Sequence, residues 1–81
     1  MIEVRAFKLE NGQRGVALLR EASPQPVWYC YTGDDDETLD VVGFAVDALN
    51  NLGMTVTVSV HVDMAELMVS RVRRRYAAGM N

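Results

Sequence analysis

Nucleophiles, acids, bases and metal ligands are few in this sequence. Cys30 is its one thiol and His61 its one imidazole. A cysteine that attacks a carbonyl needs a base beside it, a third residue to orient that base, and donors for the developing oxyanion. No third residue or glycine-rich oxyanion loop is recognisable, so a packed cysteine and an ordinary surface histidine are expected. There is no P-loop, dinucleotide-binding glycine run, zinc-ligand spacing or nucleophile elbow. No catalytic residue, metal site or cofactor is assigned, and the chain is not expected to be an enzyme.

Charge is distributed more unusually than any of these groups. The 81 residues carry 8 Lys+Arg and 11 Asp+Glu, a formal charge of −3. Residues 21–70 contain no Lys or Arg but hold Glu21, Asp34, Asp35, Asp36, Glu37, Asp40, Asp47, Asp63 and Glu66. At 100° per residue, Asp36, Asp40 and Asp47 share one narrow helical stripe, opposite Val42 and Leu49. Phe44 falls in the same stripe. A phenyl ring among aspartates on a solvent-facing ridge has no core to fill, so it reads as an anchor inside an acidic rim. The candidate partner-binding residues are Asp34, Asp35, Asp36, Glu37, Asp40, Phe44 and Asp47. Arg71, Arg73, Arg74 and Arg75 cluster near the other end of the chain. Four arginines are few for a phosphate-binding stripe, and a helix C-terminus favours them, so pairing with the acidic block is the simpler reading.

These residues must be positioned by a small set of elements. Ile2, Val4 and Ala6 alternate with Glu3 and Arg5 in a first strand that ends at Asn11-Gly12. That dipeptide suits a type I′ turn, and Val16 to Arg20 should return antiparallel. Pro24 and Pro26 interrupt the ladder before a third strand, Val27 to Tyr31. From Asp36 to Leu52 the apolar period becomes helical, with Leu39, Val42, Ala45, Val46, Leu49 and Leu52 on one side. Aspartates before Thr38 can cap this helix, and Gly53 can end it. Met54 to Val62 alternates strictly, valines on one face and Thr55, Thr57, Ser59 and His61 on the other. A second helix follows from about Asp63 to Ala78, with Asp63 and Glu66 at capping-box spacing and Met64, Met68 and Val72 as its core positions.

The expected fold is therefore α+β: a two-layer sandwich of order βββαβα, an antiparallel meander with two helices packed on one sheet face. The other face carries the Thr-Ser-His set with either Tyr29 and Tyr31 or Trp28 and Cys30. Residues 1–81 form a single domain, since a chain this short buries only about 60% of its unfolded surface. The longest apolar run, Val41 to Val46, is far below the roughly 20 residues of a membrane span, and no basic-then-apolar leader follows Met1. One cysteine in a reducing compartment is unremarkable, and a cytoplasmic location is expected.

The order of elements resembles the start of the ribonuclease H fold. With Thr32-Gly33 followed by Asp36-Glu37-Thr38-Leu39, it is also similar to the shortened version of that fold in HicB-type antitoxins. In ribonuclease H enzymes, acids on the first strand, first helix and fourth strand hold metal ions; here Asp40 could stand at the helix position and Asp63 matches the fourth-strand position. The first strand has Val4, Arg5, Ala6 and Phe7 where the remaining acid belongs. The HicB likeness implies a catalytically silent domain that grips another protein. In size, acidity and lack of catalytic chemistry the chain also resembles anti-CRISPR proteins of phages and mobile elements.

The leading expectation is a small acidic, non-enzymatic inhibitor that binds a basic nucleic-acid-binding protein or nuclease complex and blocks its basic site. The alternative, implied by the ribonuclease H resemblance, is a degenerate metal-dependent nuclease of that kind, in which Asp40 and Asp63, assisted by Asp36 or Glu66, would hold Mg²⁺ or Mn²⁺ and activate water against a phosphodiester. Neither a membrane nor direct nucleic-acid binding is expected, and an unpaired strand edge or the Thr-rich sheet face could join a homodimer.

Overall fold

A computed structural model describes the backbone of residues 1–79 and the side chains of residues 1–74. The elements are β1 (Ile2–Lys8), β2 (Arg14–Arg20), β3 (Pro26–Thr32), α1 (Asp35–Asn51), β4 (Val56–Val60) and α2 (Val62–Gly79). They form one four-stranded mixed sheet in the order β3-β2-β1-β4. The first three strands are an antiparallel meander, and β4 runs parallel to β1. The α+β order βββαβα read from the sequence is the observed one.

The β1–β2 hairpin forms where Asn-Gly placed it, but with a different turn. A type I′ turn needs positive φ at both central residues; here only Gly12 has it, at 88°. Gly12 N–H donates to the Leu9 carbonyl at 2.9 Å, and Leu9 N–H donates to Gln13 at 2.7 Å. The result is a three-residue loop with glycine in the left-handed position. Asn11 instead uses its side-chain oxygen to accept from Gln13 N–H at 3.0 Å.

Register settles which residues face the helices. Val16 pairs with Cys30 and with Ala6, and Leu18 pairs with Trp28 and with Val4. The core cluster of Val4, Ala6, Val16, Val42 and Met64 joins β1, β2, α1 and α2 on this one face. Trp28 and Cys30 belong to that side, and Tyr29 and Tyr31 to the open face with Phe7, Arg5 and Ser59. Thr55 and His61 lie just outside β4, yet the ladder reaches both, through Ile2 N–H to Thr55 O and His61 N–H to Ala6 O.

Helix α1 starts at Asp34, which has an extended backbone and whose carboxylate accepts Glu37 N–H at 2.8 Å. Asp35 and Asp36 follow in the first turn, where negative charge opposes the helix dipole. Gly53, with φ of 78°, ends the helix, and Met54 N–H returns to the Leu49 carbonyl. Leu39 and Val42 are buried, but Leu52 is 76% exposed because it is the C-cap residue rather than part of the apolar face.

Helix α2 departs further from expectation. Its N-cap role falls to His61, whose Nδ1 accepts Asp63 N–H at 3.2 Å, while Asp63 turns to Lys8 instead of closing a capping box with Glu66. Met64 is fully buried, but Met68 is half-buried and Val72 is 43% exposed. The helix therefore leaves the core after its first turns. No described helix is long and apolar enough to cross a membrane.

Candidate functional site

The departure of α2 opens a groove between the two helices. It has a volume of about 940 Å³, with Val58 of β4 as its floor, Val42 and Val46 on one wall, and Met68 and Val72 on the other. Val58 is 39% exposed although its register partner Val4 is completely buried. Asp36, Asp40, Phe44 and Asp47 rim the groove along α1. The one-stripe arrangement read from the helical period is thus present, and Phe44 is 76% exposed upon it.

The acidic residues are not equivalent. Arg71 spans two of them, donating from Nη1 to Asp40 at 2.7 Å and from Nη2 to Asp36 at 2.9 Å. A planar guanidinium is suited to such a fork. The two carboxylates, Asp40 foremost, hold the Arg71 side chain protonated still further above its ordinary range. Asp35 accepts from Arg14 at 2.8 Å. Asp34 is occupied as the N-cap, and Glu37 accepts Gly33 N–H at 2.7 Å. Asp47 has no ion-pair partner among the described residues. Arg75 lies outside the described side chains, and Arg73 and Arg74 form no ion pair among the described residues.

A second cluster of charge lies on the open sheet face. Arg5 donates to Glu3 at 2.7 Å and Ser59 Oγ donates to it at 2.6 Å. Arg5 chiefly, then Ser59, lowers the Glu3 carboxyl below its usual range. At the helix-side end of the sheet, Lys8 donates to Asp63 at 3.1 Å and is the main cause of its lowered pKa.

The pairs that could have done chemistry are kept apart. Cys30 on β3 and His61 beyond β4 belong to opposite edges of the sheet, three strand spacings or about 14 Å apart. Asp40 is bound to Arg71 and Asp63 to Lys8. No three His, Cys, Asp or Glu side chains stand close enough together to hold a metal ion among the described residues. Sequence spacing could suggest that arginines near residue 71 would meet the acidic block. The fork onto Asp36 and Asp40 needed the crossing of two helices and was not readable.

No family model matches the chain, and neither curated proteins nor solved structures give a match.

Proposed function

We propose that this protein is a small acidic, non-enzymatic inhibitor, of the antitoxin or anti-CRISPR kind, that binds a nucleic-acid-handling protein and blocks its basic site. One observation carries the reading: Phe44, 76% exposed, stands on the rim of an apolar groove with Asp40 and Asp47 on its own ridge. An exposed aromatic beside an apolar cleft can act as a binding anchor, and flanking carboxylates steer it toward a cationic surface. Because Arg71 already neutralises part of the ridge, Asp47 and the Phe44 ring are the groups most free to meet such a surface. The α1 helix as a whole carries five acids, Asp35, Asp36, Glu37, Asp40 and Asp47, and no basic residue.

The test is capture of partners from the native host with the full chain, followed by titration of the recovered protein. A basic nucleic-acid-binding protein that releases its nucleic acid on binding the chain is expected. Phe44→Ala and Asp47→Lys should each weaken that complex about tenfold, the equivalent of about 1.4 kcal/mol, while leaving the fold intact. Unchanged affinity in both variants would remove the ridge as the binding surface.

A further inference from the structure

The far edge of the sheet carries a second feature, separate from the groove. Strand β3 is an edge strand with no charged residue in its sequence, PVWYCYT. Val27, Trp28, Tyr29 and Tyr31 along it are 52, 47, 56 and 54% exposed. An edge strand presents alternate N–H and C=O groups outward, and soluble proteins usually guard such an edge with charge, shortness or a covering element. Here Pro26 guards only the first position, and among the described residues nothing covers the rest.

We propose that two copies of this chain pair antiparallel through β3, about a two-fold axis near Tyr29, to form one continuous sheet. Two observations favour a second copy as the occupant. The first is the aromatic ladder on the open face: Phe7 and Tyr31 meet edge-on at 6.0 Å, and Tyr31 and Tyr29 at 5.8 Å. A two-fold beside β3 extends this ladder into its own copy, giving cross-strand aromatic pairs of the kind that stabilise sheets.

The second is charge. Antiparallel pairing sets the start of β3 in one copy beside the end of β3 in the other. That brings the exposed Arg20, which has no ion pair among the described residues, toward the exposed Asp34 and Glu37 of the second copy. Glu21 adjoins Arg20 and reduces the attraction, but the contact occurs twice by symmetry. Aromatic side chains bury about 150–250 Å² each, so covering the exposed halves of these four residues removes roughly 300–400 Å² per copy. Main chain and flanking residues add to this, against about 800 Å² per partner in a standard interface. The dimer is accordingly weak and concentration-dependent. It leaves Phe44 and the groove, on the β4 side, uncovered, so each dimer presents the ridge twice.

Sedimentation of the full chain from about 10 μM to about 1 mM tests this. The mass should rise from one copy to two, and β3 amides should exchange more slowly at the higher concentration. Tyr29→Lys should remain monomeric with unchanged helical circular dichroism, and Arg20→Glu should weaken the dimer. If Tyr29→Lys does not fold, the exchange of β3 amides in the unaltered chain decides. A monomer at about 1 mM overturns the proposal, as does a dimer whose β3 amides exchange at the same rate at both concentrations.

Discussion

Arg71 Nη1 donates to Asp40 at 2.7 Å, so the last third of the chain neutralises part of the acidic helix in its middle. The same guanidinium also reaches Asp36 and its backbone carbonyl. This fork ties α2 to α1 beyond the buried Met64. Its cost to break is set by exposure: the Arg71 side chain is 29% exposed, and its partners are 70% and 59% exposed. Such pairs contribute about 0.2–1 kcal/mol each. Arg71→Gln should lower unfolding free energy by about 1 kcal/mol, speed amide exchange in the second half of α2, and make the ridge more negative. Urea denaturation and exchange measure the first two effects. Stronger binding of a basic partner by the variant would measure the third.

Gly15 sits where β2 lies under the Phe7 ring. A Cβ there would collide with the Cys30 carbonyl oxygen and stand 2.8 Å from Phe7 Cζ. The clash with backbone cannot be relieved by a rotamer change, so Gly15→Ala should cost about 3 kcal/mol or more and disrupt the β2–β3 pairing. Thermal denaturation checks this. An alanine variant melting within a few degrees of the parent would show that β3 can shift away, which also bears on how firmly this edge is held.

Acid should weaken the fold in part through two carboxylates whose pKa values are lowered in the folded chain. Glu3 lies below its ordinary 4.5, mainly because Arg5 donates to it, and Asp63 lies below 3.8, mainly because of Lys8. A depressed native pKa stabilises the fold above the unfolded value and ceases to do so as pH falls through the native value. The contribution of these two groups is therefore constant near neutrality and declines below about pH 4.5. Glu3→Gln and Asp63→Asn should each flatten that acid limb of melting temperature against pH while lowering the plateau. An unchanged limb in both would show that other groups govern acid unfolding.

Much of this architecture was legible because it follows from period and punctuation. The β period through Ile2, Val4 and Ala6, the helical period from Leu39 to Leu49 and the stop at Gly53 each depend on neighbours in sequence. The failures have a common cause in contacts between distant segments. Spacing alone makes Asp63 a capping residue, but Lys8, 55 positions away, engages it, and His61 takes over the cap. Helical spacing from Met64 makes Val72 a core position, but α2 leaves the core after its first turns and Val72 is 43% exposed. Whether Tyr29 or Trp28 faced the helices depended on the pairing of β3 with β2, including a register shift at Leu18 and Leu19 that period alone does not contain. The acidic stripe with Phe44 was visible in the sequence, whereas its partial neutralisation by Arg71 was not.

Thr38 is the one polar side chain buried among the described residues, and its hydroxyl joins α1 to β3. It donates to the Asp34 carbonyl at 2.7 Å. A hydroxyl has one proton, so the contact between Thr38 Oγ1 and Thr32 Oγ1 must use the Thr32 proton, with Thr38 accepting. Thr38→Val preserves shape and removes both bonds. It strands the half-buried Thr32 hydroxyl but leaves the Asp34 carbonyl its backbone partner, Thr38 N–H. The loss should be about 1–3 kcal/mol, since an unsatisfied buried donor forfeits its solvation. Thr38→Ser retains both bonds and gives up only a methyl group, which costs about 1 kcal/mol. In the double variant Thr32→Val with Thr38→Val no donor is left stranded, so its loss should be smaller than the sum of the two single losses by about 0.5–1.5 kcal/mol. Additive losses in this cycle would show that the two hydroxyls do not interact.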